Sequence, residues 1–315
     1  MPKLHKNVYE TLDDVLNDVY DDLLSLPFDV KPSRGITSEI RGASFELTNP
    51  LARLSRSEVK SKAFSAIGEL LWYLSGSNKL EFIEHYISQY KDEEEEGIIH
   101  GGYGPRLFNM REKYNQVDNV LSLLKENPNT RRAVIQLYDA ADIAEKHKEI
   151  PCTCTMQFMI RNDKLQLYVS MRSNDAYKGL PHDVFAFTMF QEIMARTLKV
   201  ELGSYYHSAG SLHLYSSNKK KVKEYLNEGF QPTDLNMPPM PEADPWPSIQ
   251  TLLEFEQHVR NTPEQGFEDL KLDQYWLDLA GLINIYALKR KRNNYHIKKI
   301  LPLINPIYKV FVKKD

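Results

Sequence analysis

Cysteine is scarce. The 315-residue chain holds two, Cys152 and Cys154, and the single residue between them makes a disulfide geometrically poor. No second cysteine or histidine pair stands at ligand spacing, which argues against zinc or any other structural metal. No apolar run approaches the roughly 18 residues of a membrane span. The opening residues MPKLHKNVYE lack the basic-then-apolar layout of a secretion signal, so the expected location is the cytoplasm, with free thiols. Neither sign of charge dominates. Lys and Arg number 40 against 43 Asp and Glu, a net of −3, which advertises neither nucleic acid nor a membrane surface. What is present is ordinary for a soluble globular protein: 42% hydrophobic and 26% charged residues, over a length that buries a substantial core in one large domain or two modest ones.

Periodicity divides the chain into elements. Residues 11–25 place Leu12, Val15, Leu16, Val19 and Leu23 on one stripe, a helix capped by Thr11. A second helix is predicted from about Ser57 to Leu74, apolar nearly all round and ended by Gly76. Glu69 stands out in it, because a carboxylate in such a run rarely goes under cover without a partner. Arg132–Tyr138 reads as a strand, and Thr155–Arg161 and Lys164–Met171 as a hairpin around Asn162-Asp163. A long apolar helix from Asp183 to Leu198 is opened by Gly179-Leu180-Pro181. Glu201–Gly210 reads as a strand, Ser217–Asn227 as a surface helix, Pro232–Pro247 as an ordered loop or linker, and 248–290 as helical. There is no internal repeat. Strands and helices mix without strict alternation, which favours an α+β domain on a mixed or antiparallel sheet. The acidic run Asp92–Glu96 reads as a solvated loop. The basic cluster Lys289–Arg292, with Lys298 and Lys299, reads as a solvated helix end rather than a nucleic-acid surface.

The stretch from Arg131 to Tyr215 carries the chemistry. Cys152 follows Ile150-Pro151 at a strand entrance. Arg172-Ser173-Asn174-Asp175 falls where the second hairpin strand ends, Gly179-Leu180-Pro181-His182-Asp183 opens a helix, and His213 and Tyr215 form a His-x-Tyr pair. Arginines such as Arg131, Arg132 and Arg172 beside a thiol bind an anion and lower the thiol pKa. Their fork geometry and the Ser173 hydroxyl suit phosphate. Each element alone has a blander reading: a buried structural cysteine, surface arginines, a satisfied core histidine. Their order and spacing together point to a phosphorylated substrate attacked by sulfur.

Those residues resemble the thymidylate synthases and the related pyrimidine hydroxymethylases, over roughly residues 30–220. Glu69-Leu70-Leu71-Trp72 is similar to the family's helix motif, Asn129-Thr130-Arg131-Arg132 to its arginine pair, and Pro151-Cys152 with Gln157-Phe158 to its nucleophile segment, a spacing that selects Cys152 over Cys154. Arg172-Ser173-x-Asp175 with Gly179-Leu180-Pro181, and Gly210-x-x-His213-Leu214-Tyr215, complete the match. The resemblance implies a large mixed β-sheet packed with helices, with the sheet at the interface of a two-fold dimer. A catalytic domain over 1–230 would be followed by a loop and helical extension over 231–315, packed on the same domain. It implies 5,10-methylenetetrahydrofolate as co-substrate and a pyrimidine nucleoside monophosphate as acceptor. Cys152 would add to C6, Glu69 would relay protons, and Tyr103 would sit close to the cysteine. Arg172 and Ser173, with Arg34 as a weaker match, would bind phosphate, while Arg131 and Arg132 would reach the phosphate of the partner subunit. His213 and Tyr215 would hold the sugar, and Asp175 and Gly179 would meet the folate.

The departures from the family set the expected reaction. Asp183 stands where synthases acting on uracil carry asparagine. A protonated aspartate donates to cytosine N3 while its other oxygen accepts from N4, and mispairing a buried polar group costs about 1–3 kcal/mol; a plain helix N-cap is the blander reading. His182 replaces an apolar aromatic and Thr153 a histidine. The folate-packing tryptophans are missing from Phe82–Gly97, where Tyr86 and Tyr90 are the substitutes. The segment Ile307–Asp315 does not match the apolar end that seals a synthase during hydride transfer. A wetter site favours hydroxymethyl over methyl transfer. The expected function is 5-hydroxymethylation of dCMP or CMP. The rivals are reductive methylation of dUMP and a catalytically weak nucleotide- or RNA-binding relative.

Overall fold

In the computed structural model, residues 7–32, 34–57, 63–233 and 236–312 are described. Among them the strands are β1 (Asn7–Tyr9), β2 (Thr37–Leu47), β3 (Val134–Gln136), β4 (Thr153–Arg161), β5 (Lys164–Asp175) and β6 (Glu201–Tyr215). The α-helices are α1 (Leu12–Ser25), α2 (Ala63–Leu74), α3 (Leu80–Ile83), α4 (Tyr103–Phe108), α5 (Gln116–Glu126) and α6 (Leu180–Leu198). They continue with α7 (Lys219–Asn227), α8 (Trp246–Asn261), α9 (Gln274–Arg290), α10 (Asn294–Ile300) and α11 (Lys309–Val312). The strands form one sheet in the order β1-β2-β6-β5-β4-β3. It is mixed, with β1–β2 and β5–β6 parallel and the other pairs antiparallel. This is the expected α+β class.

Local chemistry sets the elements. Thr11 caps α1 in a reciprocal capping box with Asp14, and the expected stripe from Leu12 to Leu23 is buried. The β4–β5 turn places Asn162 at φ 52° and Asp163 at φ 56°, left-handed geometry that these two residue types tolerate and that matches strand twist. Strands β5 and β6 both outrun the sequence reading. β5 continues four residues to Asp175 and β6 five residues to Tyr215, which pairs Ser173 with Ser211 and Asp175 with His213.

Two boundaries need correction. The strand expected over Arg132–Tyr138 pairs only at Val134–Gln136, because the backbone amides of Leu137 and Tyr138 both turn to Cys154 O, where β4 is bulged. Helix α6 starts at Leu180, with Gly179 at the cap position and Pro181 in the first turn. Asp183 is therefore inside the first turn, its amide bonded to Gly179 O at 2.9 Å, and is no N-cap. Of the helix expected from Ser57, residues 58–62 lie outside the described residues; its end at Gly76, φ 69°, is as expected.

The core lies between one face of the sheet and helix α6, backed by α2, α5 and α9. Phe185, Phe187, Met189, Phe190, Ile193 and Met194 of α6 are all buried, each stabilising by about 1.5–3 kcal/mol. On the opposite face Tyr168 stacks on Tyr206, centroids 4.2 Å apart, and both stay half-buried. The proline-rich stretch is ordered as expected where described. Met237 and Met240 are buried, and Met240 N donates to Glu192 at 2.7 Å. Among the described residues no helix is long and apolar enough to cross a membrane.

Candidate active site

Cys152 sits immediately before β4, opposite Arg172 near the end of β5. The Arg172 amide donates to Cys152 O at 2.8 Å. Its guanidinium donates through Nε to Pro151 O at 2.9 Å and through Nη2 to Ile150 O at 3.0 Å, with Nη2 also 3.7 Å from Cys152 Sγ. One fork thus fixes the backbone before the cysteine and touches its sulfur, leaving Nη1 without a hydrogen-bond partner among the described residues. The expectation that arginine would lower the thiol pKa needs correction for its net effect. The Cys152 thiol is pushed up to about 12, first by burial; Arg172 and Arg34 pull it down, while Glu149 and Asp183 push it up.

A carboxylate and three phenols form a connected group that reaches the cysteine's neighbourhood through Tyr103. Glu69, buried in α2, accepts from Tyr90 Oη at 2.9 Å. Burial raises its pKa, with Tyr90 and Tyr73 working against the shift. Tyr103 opens α4 and shares a hydrogen bond of 2.9 Å with Thr153 Oγ1, next to the cysteine; its ring lies 4.8 Å from that of Tyr73. Asp183 accepts from Asn174 Nδ2 at 2.6 Å. Burial, then the charge of Glu69, hold the Asp183 carboxyl well above the usual range, although Asn174 acts against the rise. Its protonated form is thereby favoured.

His213 meets Tyr215 edge to face at 5.2 Å, and Tyr215, its pKa raised first by burial, lies within reach of the charges of Asp175, Arg34 and Cys152. One oxygen of Asp175 accepts the amides of Tyr177 and Lys178, and Gly179 packs against Asn174 and Asp183. Arg131 and Arg132 are exposed beside β3 and share no hydrogen bond or ion pair with this cluster among the described residues. Tyr86 is buried, stacked on Tyr286 and donating to Glu256, whereas Tyr90 joins this group through Glu69.

The acidic run is no plain solvated loop. Glu93 pairs with Arg34 at 2.6 Å, and Glu95 accepts from the Lys148 amide and bonds His147. This ties the run to the segment leading into Cys152. That segment carries Glu149, which sequence reasoning missed. Its carboxyl lies so close over Gly101 that a Cβ there would stand 1.8 Å from Oε2. Burial first, then Glu93, raises it to about 7 against the pull of Arg172 and Arg34. Nothing in the sequence marks it, since it belongs to no motif. Asn174 was visible in Arg-Ser-Asn-Asp, but its partner nine positions on is apparent only in three dimensions. Among the described residues no group of three or more His, Cys, Asp or Glu is placed to hold a metal ion.

One end of a mixed sheet brings a cysteine beside an arginine fork, and helices α2 and α6 each carry a carboxyl whose protonated form burial favours, which together supply groups for nucleophilic and acid–base chemistry in an α+β protein. The thymidylate synthase family model matches residues 40–277, and the chain belongs to that family. It is 29% identical over 296 residues to the deoxyuridylate hydroxymethyltransferase of Bacillus phage SP01, a match covering 88% of this chain and 74% of that protein. It is also 29% identical over 217 residues to the deoxyuridylate hydroxymethyltransferase of Delftia phage PhiW-14, covering 64% and 60%. Against the thymidylate synthase of Buchnera aphidicola subsp. Baizongia pistaciae it is 28% identical over 166 residues, covering 51% and 62%. The chain thus spans less than two thirds of the length of two of these three relatives.

Proposed function

We propose that the chain transfers a one-carbon unit from 5,10-methylenetetrahydrofolate to C5 of a pyrimidine nucleoside monophosphate, leaving a hydroxymethyl group, with Cys152 adding to C6. The observation that carries this reading is the Arg172 fork, which orders Ile150-Pro151-Cys152, contacts Sγ and keeps an N–H group for phosphate. Because burial keeps the thiol protonated, its proton passes to solvent water as the C6–S bond forms. The C5=C6 electron pair moves through C4 to N3 of cytosine, which takes a proton from Asp183 and leaves C5 nucleophilic. Glu69, raised by burial, suits relaying protons through water. The folate, when bound, would supply the one-carbon unit, and Asp175 would help hold it, since its second oxygen has no donor among the described residues. Water as the final nucleophile is supported by His182, bonded to Ser65 at 2.8 Å where synthases keep an apolar aromatic, and by the two hydroxymethyltransferase relatives.

The base is read as cytosine through neutral Asp183. Uracil is the second reading, favoured by the deoxyuridylate named in both phage relatives. A neutral carboxyl offers one donor and one acceptor, as an amide does, so it also answers O4 and N3–H. Arg131 and Arg132 are read as reaching a partner's phosphate in a two-fold dimer formed on the Tyr168–Tyr206 face. Product masses from methylenetetrahydrofolate with dCMP, CMP or dUMP test the assignment. A gain of one hydroxymethyl group on dCMP or CMP is expected; a methylated dUMP product would refute both base and reaction.

A further inference from the structure

We propose that Asn174 is the positioning residue for base choice, acting by fixing which oxygen of Asp183 presents a donor to the ring. The inference rests on the reading of Asp183 as the group that meets the base. Asn174 is buried on β5 and donates through Nδ2 to Asp183 Oδ2 at 2.6 Å. Gly179 leaves room for this pair: a Cβ there would stand 3.0 Å from Asn174 Nδ2 and 3.3 Å from Asp183 Oδ2, tighter than a side chain tolerates without displacing the bond. Asn174 Oδ1 is buried with no hydrogen-bond partner among the described residues, so an acceptor is stored beside the carboxyl.

In a neutral carboxyl the oxygen that accepts is the carbonyl oxygen, and the proton sits on the other. The Asn174 amide therefore makes Oδ2 the carbonyl and Oδ1 the hydroxyl. Oδ1 has no partner among the described residues and is the atom left to face a ligand. Cytosine and uracil differ in which ring atom wants that donor. Cytosine wants it at N3 and offers N–H groups at N4, whereas uracil wants it at O4 and offers N–H at N3. A carboxyl free to carry its proton on either oxygen satisfies both bases. One locked by Asn174 satisfies the base whose acceptor lies opposite Oδ1 and mispairs with the other. Asp183 alone is thus an ambivalent reader, and the pair is a discriminating one. This holds whichever base is preferred.

The test measures tritium release from C5-labelled dCMP and dUMP with methylenetetrahydrofolate, as a ratio of kcat/KM values, for the wild type, Asn174→Ala and Asn174→Ser. In both variants the preference should fall toward one by about tenfold, since the wrong base no longer leaves buried groups mispaired. In parallel, protein labelled with 13C at aspartate carboxyls reports the Asp183 titration, its signal assigned by its loss in Asp183→Asn. Its midpoint should rise by about one pH unit in the variants, because a donor that favoured the ionised form is gone. An unchanged base ratio and an unchanged midpoint in a folded variant overturn the inference. Absence of tritium release from either nucleotide in the wild type would instead refute the proposed reaction. The carboxyl titration would then still decide whether Asn174 governs Asp183.

Discussion

Tyr90 Oη donates to Glu69 Oε1 at 2.9 Å, and the Tyr90 ring packs edge-on against Trp72 at 5.3 Å. A phenol anchored by an aromatic neighbour thus holds a carboxyl that burial has pushed toward its neutral form. The balance between burial and this hydrogen bond sets where Glu69 titrates.

Removing the group and retuning it should differ. Glu69→Gln should lower kcat by about 10²–10⁴-fold, the typical worth of a positioned proton-transfer group, with KM little changed. Tyr90→Phe deletes a bond that favours the ionised form, so the Glu69 pKa rises further. The acid limb of the pH–rate profile should move to higher pH; a limb that stays in place would show that Glu69 does not govern it.

Glu149 predicts a stability that depends on pH. Its folded pKa of about 7 lies above its ordinary value of 4.5, so the folded protein binds the extra proton between those two values. Stability contributed by this carboxyl is lost as pH rises from about 4.5 through 7. Glu149→Gln should match the wild type near pH 5 and exceed it at pH 8 by about 1–2 kcal/mol, a figure discounted for partial exposure. Denaturant unfolding at the two pH values checks the sign. Site-resolved alkylation at pH 8 should also speed up severalfold at Cys152, because a negative charge that raises its pKa is removed.

Arg172→Lys keeps the charge and loses the fork. A single ammonium cannot serve Pro151 O, Ile150 O and Sγ together. Turnover should fall about a hundredfold, with KM for the nucleotide raised. Equal activity in the lysine variant would show that point charge alone suffices.

Arg53 and Glu192 bond at 2.6 Å with both side chains fully buried. Arg53→Met leaves Glu192 only the more distant Arg196 at 3.9 Å as a cationic partner and should destabilise the fold by about 3–5 kcal/mol, measured by denaturant unfolding.

How much was legible in the sequence depended on the range of the interaction. Thr11, the Leu12–Leu23 stripe and Asn162-Asp163 act through neighbours a few positions away, so spacing alone revealed them. The motif residues Cys152, Arg172, Asp183 and His213 were legible as a set. Their electrostatics were not: burial raises the Cys152 pKa against the pull of Arg172, with Glu149 adding to the rise, and spacing encodes neither the burial nor Glu149. The strand at Arg132–Tyr138 was overread because its alternating pattern persists where a bulge in β4 breaks the pairing. The acidic run was misread because its partners, Arg34 and the Lys148 amide, lie more than 50 positions away.

Covalent capture tests the central claim, addition of Cys152 to C6, most directly. A pyrimidine nucleotide carrying fluorine at C5 cannot lose a proton there, so the adduct with methylenetetrahydrofolate should stall. Digestion and fragment masses should place the nucleotide on Cys152 and leave Cys154 bare, with no adduct in Cys152→Ala. An adduct on Cys154, or turnover retained in Cys152→Ala, would contradict the account.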